Sequence, residues 1–121
     1  MIKLTFCLRR LPQLSREEFQ RYWLERHGPL VREVAATLRI RRYVQLHTLA
    51  HPLSEAIRRA RGAPEEYDGV AELWWDSLDD LAAPASTPEG REAGRRLLED
   101  ECRFVDLARS PIWLGQEHVL V

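Results

Sequence analysis

Phe19-Gln20-Arg21-Tyr22-Trp23-Leu24-Glu25-Arg26-His27-Gly28-Pro29-Leu30 is the stretch on which the reading of this chain turns. It opens as an amphipathic helix: at about 100° per residue, Phe19, Trp23, Arg26, Leu30 and Val34 share one broad face. Ahead of them Ser15-Arg16-Glu17-Glu18 forms a capping box, and Leu14 is placed to staple onto Phe19 across the first turn. Pro29 disfavours helical geometry at Gly28 and removes an amide donor. The spacing therefore predicts a helix that starts at Ser15, breaks or kinks at Gly28-Pro29 and resumes to about Leu38.

Upstream, Ile2, Leu4, Phe6 and Leu8 alternate with Lys3, Thr5, Cys7 and Arg9, the period of a half-buried strand that Pro12 ends. Downstream, Ile40 to Leu49 reads as a second strand on its content of Tyr43, Val44, Leu46 and Thr48, and Gly69 to Trp75 as a third. Between these two, Pro52 to Arg61 reads as a short basic helix closed by Gly62 and Pro64, an excursion whose charges are solvated. Ser77-Leu78-Asp79-Asp80 caps a turn or two of helix before Pro84. Thr87-Pro88 supplies an N-cap and a proline at the first position of a helix to about Asp106, with Ala93, Leu97, Leu98, Phe104 and Val105 inward. Pro111 precedes a last strand, Ile112 to Val121.

The order β-α-β-β-α-β makes the fold class α+β: a ferredoxin-like protomer with an antiparallel four-stranded sheet, as one domain over residues 1–121. Two helices cover only one face of such a sheet, so the other needs solvent, a ligand or a second copy of the chain. Lys3, Thr5, Cys7 and Arg9, then Tyr43, Gln45 and His47, then Val70, Glu72 and Trp74 are expected to point that way. A partly polar, aromatic-bearing face of this kind suits an enclosed pocket.

With 18 Lys+Arg against 19 Asp+Glu the net charge is −1, so no overall field favours a nucleic acid or an anionic membrane. The longest apolar stretches are strand-sized, and Met1 to Leu8 runs into Arg9 and Arg10 without a cleavage-like site, so neither membrane insertion nor export is expected. Cys7 and Cys102 lie far apart with no C-x-x-C spacing, which suits the reducing cytoplasm, and Cys7 reads as a buried thiol with no activating neighbour. The four histidines, His27, His47, His51 and His118, show no ligand spacing, so no metal site is drawn. No Gly-rich phosphate loop, nucleophile elbow or dinucleotide fingerprint is present, which sets aside nucleotide and hydrolase chemistry and leaves no cofactor implied by a motif. Haem needs only one axial histidine, so a haem-binding barrel stays open as an alternative.

Phe19-x-x-Tyr22-Trp23-x-x-x-His27-Gly28-Pro29-Leu30, after the strand Lys3-Leu4-Thr5-Phe6-Cys7-Leu8-Arg9-Arg10, resembles the EthD family. Asp106-Leu107-x-x-Ser110-Pro111-x-Trp113-Leu114 through Glu117-His118-Val119 is similar to that family's closing strand. The resemblance implies a ferredoxin-like protomer whose sheet pairs with that of a second protomer into a dimeric α+β barrel, with a cavity between sheet and helices in each subunit. It implies no single activity: EthD-like proteins include accessory factors of oxidative degradation, and related barrels include cofactor-independent isomerases, cyclases, dehydratases, decarboxylases and monooxygenases.

His27 is the leading chemical candidate, because an imidazole titrates near neutrality and the Gly28-Pro29 turn can hold it at a cavity mouth. A helix C-terminus there would favour the protonated form, which suits an acid or oxyanion-stabilising role as well as a base, while a structural reading has the ring capping its helix. Tyr22 and Trp23 could wall a pocket for an aromatic substrate, with Tyr22 a further catalytic candidate; bulky aromatics at helical spacing also read simply as core. His47 and Glu72, from neighbouring strands, could form an acid–base pair if both project into the barrel, although surface alternation explains each equally well. Glu101 falls near the centre of the stripe of Leu97, Phe104 and Val105, where a carboxylate must be paired, neutral or at the cavity. Arg9, Tyr43 and Trp74 complete the expected ligand-binding set. The reading is a homodimer binding a small hydrophobic, aromatic or oxygenated molecule, with proton-transfer catalysis through His27 or, alternatively, a noncatalytic carrier or accessory role.

Overall fold

The computed structural model describes residues 1–121. Its sheet is built from β1 (Ile2–Leu8), β2 (Arg42–His47), β3 (Gly69–Trp75) and β4 (Ile112–Gln116), in the order β2-β3-β1-β4 with every neighbour antiparallel. This is the ferredoxin-like arrangement that the order of elements requires. Ser15 closes the capping box with Glu18 and opens α1 (Arg16–Tyr22), which passes through a π-helical turn (Trp23–His27) into α2 (Gly28–Val34). Then follow α3 (Pro52–Ala60), α4 (Leu78–Ala82), a 3-10 turn (Ala83–Ser86) and α5 (Pro88–Glu101). No helix is long and apolar enough to cross a membrane.

Of the break or kink expected at Gly28-Pro29, the structure shows no break. Trp23, His27 and Gly28 all keep right-handed helical dihedrals. The chain instead widens by one residue, so that the Gly28 N–H reaches back to the Trp23 carbonyl. A π-turn tolerates what an α-turn does not here, an amide-free proline directly after it. The helix ends at Val34 rather than near Leu38. Gly28 has a second use: a Cβ there would come within 3.2 Å of Gln45 Nε2, which donates to the same Trp23 carbonyl at 2.9 Å.

Phe6, Leu8, Phe19, Trp23, Ala71, Phe104 and Val105 form the core between sheet and helices, with Leu14 packed against it as the staple requires. Asp68, 2% exposed, pins the start of α1 to the sheet by accepting from the Arg10 amide at 2.9 Å and from Arg16 Nε at 3.0 Å. Two boundaries at the other end are shorter than the pattern predicts. α5 stops at Glu101, and Val105 instead bridges to Arg10; Leu98 faces outward. β4 stops at Gln116 rather than Val121.

The largest correction concerns β2. Tyr43, Gln45 and His47 pair with Leu73, Ala71 and Gly69, so they face the helices and not the open side of the sheet. The reason lies at Gly69, where a Cβ would come within 2.9 Å of the Trp23 ring and of the Leu46 carbonyl. Trp23 occupies that space, and the His47 imidazole stacks on it with ring centres 4.5 Å apart and planes 19° apart. The open face carries Arg42, Val44 and Leu46 in their place, beside Lys3, Thr5, Cys7, Val70, Glu72, Trp74 and Trp113. Glu72 there pairs with Lys3 at 2.7 Å, and Trp74 lies between Lys3 and Arg42, with the cations 4.9 and 4.8 Å from its ring.

Candidate functional site

The π-turn delivers His27 into the core rather than to a helix end, and only 5% of the residue is exposed. Its ring sits 5.0 Å from that of Phe104, which also meets Phe19 at 5.5 Å and Tyr22 at 5.1 Å. Nδ1 lies 2.7 Å from Asp100 Oδ2, on the last turn of α5. Asp100 is itself buried, and its Oδ1 accepts from the Tyr22 hydroxyl at 2.6 Å and from Arg103 at 3.0 Å.

Burial works to raise the Asp100 pKa, but hydrogen bonds from Tyr22, His27 and Arg103 outweigh it and hold the carboxyl below its ordinary range. Burial lowers the His27 pKa below the ordinary imidazole value, against the pull of the Asp100 hydrogen bond and charge. A neutral imidazole beside a carboxylate carries its proton on Nδ1 and donates it, so Nε2 is left with a lone pair. This reverses the sequence expectation of a protonated ring at a helix C-terminus, since the helix does not end here. No buried side-chain nitrogen or oxygen lacks a partner, and Nε2 has no protein partner, so that atom is reachable from the cavity.

The cavity in question is about 40 Å³, walled by Phe6, Leu8, Trp23, Val31, Leu73, Phe104 and their neighbours. Its three titratable groups are His27, Tyr43 and Glu101. Burial pushes the Tyr43 hydroxyl up to about 12. Burial first, and the Asp100 charge second, push Glu101 up to about 7. An open groove of about 530 Å³ runs between α2 and the free edge of β2 and shares Val31 and Tyr43 with the cavity, so those two side chains form the wall between them. Leu24, Ala35 and Ile40 give the groove its apolar floor, and Arg32, Arg41 and Arg42 its rim.

The fold thus brings together five of the residues singled out in the sequence: His27, Tyr22, Trp23, Tyr43 and Glu101. Tyr22 meets Asp100 rather than the cavity. His47 lies beyond Trp23 in the groove, where Nε2 is 2.7 Å from Gln45 Oε1. Glu72 is on the opposite face of the sheet, so the expected His47–Glu72 pair does not form. Trp74 shares that face, and Arg9, at the end of β1, donates to the Glu66 carbonyl at 2.8 Å and covers the Tyr67 ring. Asp100 and Arg103 escaped the sequence reading. The signal was present for Asp100, which falls seven residues after Ala93 and three after Leu97 on the inward stripe of α5.

No group of three or more His, Cys, Asp or Glu is placed to hold a metal ion. A porphyrin does not fit at His27, whose Nε2 faces only about 40 Å³, and His47 is engaged on both Gln45 and the Trp23 face.

The fold is shared with several solved proteins. An ethyl tert-butyl ether D (EthD) family protein from Bacillus halodurans C-125 superposes with a TM-score of 0.64 at 19% identity, covering 98% of this chain and 99% of that one. A dimeric protein of ferredoxin-like fold from Bacteroides fragilis gives 0.60 at 14% identity over 96% and 95%. SnoaB, a cofactor-independent oxygenase from Streptomyces nogalater, gives 0.52 at 13% identity over 98% and 96%. At the level of sequence the EthD domain matches residues 11–108, from the end of β1 to beyond α5 and including every residue of the His27–Asp100 site. The chain belongs to the EthD family.

Proposed function

We propose that two copies of this chain pair through the sheet faces that no helix covers, and that each binds a small hydrophobic, aromatic or oxygenated molecule on which His27 acts as an acid–base catalyst without a cofactor. The observation that carries the proposal is the imidazole itself. It is neutral, oriented by Asp100 on one nitrogen, and open to an apolar cavity on the other. The groove accommodates the body of a ligand of ordinary small-molecule size, and its reacting end meets His27 when the Val31 and Tyr43 side chains, which separate groove from cavity, turn aside. The reactive groups are all side chains, in keeping with the likeness to a cofactor-independent oxygenase. The cytoplasm suits its two unpaired cysteines.

Pairing is supported by the open face, where Leu46 is 57% and Trp113 52% exposed with no helix to cover them, and by the dimeric neighbour of the same fold. Sedimentation at micromolar concentration is expected to give a dimer; a stable monomer removes the barrel.

The chemistry is tested with 2-tetralone, a compact aromatic ketone, by following deuterium uptake at the carbon next to its carbonyl in D2O. The protein is expected to accelerate the exchange, and His27→Ala to reduce that acceleration by about 10²-fold or more. Tight binding of the ketone with exchange no faster than in buffer would favour the carrier role instead.

A further inference from the structure

We propose that Glu101 is the proton donor working opposite His27, so that the cavity carries out a 1,3-proton shift between the keto and enol forms of a carbonyl compound. The inference rests on the reading of His27 as the base. It comes from a contrast between two adjacent carboxylates. Asp100 has three partners, Tyr22, His27 and Arg103. The Glu101 carboxylate has none: it is half-buried among apolar side chains, and nothing donates a hydrogen bond to it. Glu66, Asp68, Glu72, Asp80 and Asp106, the other partly or fully sheltered acids, each hold an arginine or a lysine. A carboxyl left unpaired in such surroundings is stable as the neutral acid, and an acid with no partner has its proton free to give.

The geometry sets the two carboxyls to different tasks. Successive residues on a helix point about 100° apart, so Asp100 meets the imidazole at Nδ1 while Glu101 lines the cavity that Nε2 faces. In the proposed step, Nε2 of neutral His27 takes the proton from the carbon next to the carbonyl. The C–H electron pair becomes the C=C bond of the enol, and the carbonyl π pair moves to oxygen, which takes the proton of the Glu101 carboxyl. Return of the His27 proton to the same carbon or to a conjugated one, and of the enol proton to Glu101, restores both groups. No electrons leave the substrate and nothing else is consumed.

The protonation states agree with these roles. Burial holds His27 unprotonated down past its usual pKa, and burial with the Asp100 charge holds Glu101 as the acid up to about 7. Base and acid are thus both competent below about 7, down to where His27 takes up its proton, which lies below the ordinary imidazole value. The titratable groups facing the pair are Asp100 on α5 and Tyr43 on β2, with Tyr22 and Arg103 acting through Asp100.

The test is the pD profile of 2-tetralone exchange on the whole protein. The wild type is expected to give a bell, rising as His27 loses its proton on the acid side and falling as Glu101 loses its own near 7. Glu101→Gln is expected to slow exchange by about 10²-fold and to abolish the alkaline limb while keeping the acid one. An Glu101→Gln protein with wild-type rate and profile overturns the inference and leaves the role of His27 standing. Wild-type exchange that does not depend on His27 overturns both. A readout on the unmodified protein is independent of the variant's folding: the Glu101 side-chain carboxyl carbon is expected to titrate near 7 by NMR, and an ordinary carboxylate midpoint would sink the inference.

Discussion

Asp100→Asn is expected to lower the His27-dependent exchange rate by about 10²-fold or more in a protein that still folds. The effect follows from the order of donors around the carboxylate. Oδ1 accepts from two groups, Tyr22 and Arg103, whereas Oδ2 meets only His27 Nδ1. An asparagine will therefore place its one oxygen toward Tyr22 and Arg103, and its amide NH2 against the imidazole. An NH2 group has no lone pair to offer Nδ1–H, so the ring must change tautomer, with Nδ1 accepting and Nε2 carrying the proton. The cavity then faces an N–H where it had a lone pair, and the base is gone although no atom of His27 has moved. Nitrogen-15 chemical shifts of the His27 ring check this directly: the proton should sit on Nδ1 in the wild type and on Nε2 in the variant. The same tautomer in both would refute the account of Asp100 as the group that positions the base. Loss of the anion also removes what raises the His27 pKa, so protonation of the ring in the variant should occur at still lower pH.

The largest effect on stability is expected from Gly90→Ala. Gly90 lies in the first turn of α5, where its N–H is held by the Thr87 side chain at 3.0 Å. The 3-10 turn ahead of the helix folds back over it so closely that a Cβ would overlap the Pro84 carbonyl oxygen, with the Pro84 carbon at 2.5 Å and Cα at 2.7 Å. These are backbone atoms of a proline, which cannot swing aside as the tip of a side chain can. The turn or the helix must shift, and α5 carries both Asp100 and Glu101. We expect a loss of about 3 kcal/mol, or a fall in Tm on the order of 10 °C for a chain of this size. Thermal unfolding of the variant measures it, and Gly94→Ala is the control: it lies one turn further along α5, where a Cβ meets nothing within 4 Å. Equal Tm values for the two variants would contradict the packing argument.

Much of the architecture was legible in the residues because local rules decide it. Alternation in Ile2–Leu8, the capping box at Ser15 and the Thr87-Pro88 start each define an element without help from elsewhere. What escaped were features that need a second element. Both faces of β2 carry apolar and polar residues, so alternation alone does not say which side turns inward; the bare Gly69 on β3 and the Trp23 ring that fills its place decide it. That one choice moved Tyr43 to the cavity wall and separated His47 from Glu72. Pro29 implies a break or kink because an α-turn has no place for it, and only the wider turn, held by the Gly28 amide and Gln45 on one carbonyl, shows how the helix carries on through it. Asp100 lay on the same stripe as Glu101, yet which of the two carboxyls meets the imidazole is decided only by where the π-turn places His27.

The wide turn at Trp23–His27 also bears on how such a site is gained or lost in descent. It amounts to one residue added to a continuous helix, and removing one would let the segment settle back to α pitch. Everything on one side would then rotate by about 100° against the other. Phe19 and Trp23 are anchored in the core, so the rotation would fall on the far side and carry the imidazole out of the cavity, while Pro29 would lose the turn that accommodates it. A single-codon deletion could thus silence the site and spare most of the protomer's packing, whereas most single substitutions in the same helix would leave the ring where it is. The count of residues between the aromatic pair and the imidazole thus decides which way the ring points, independently of the rest of the helix.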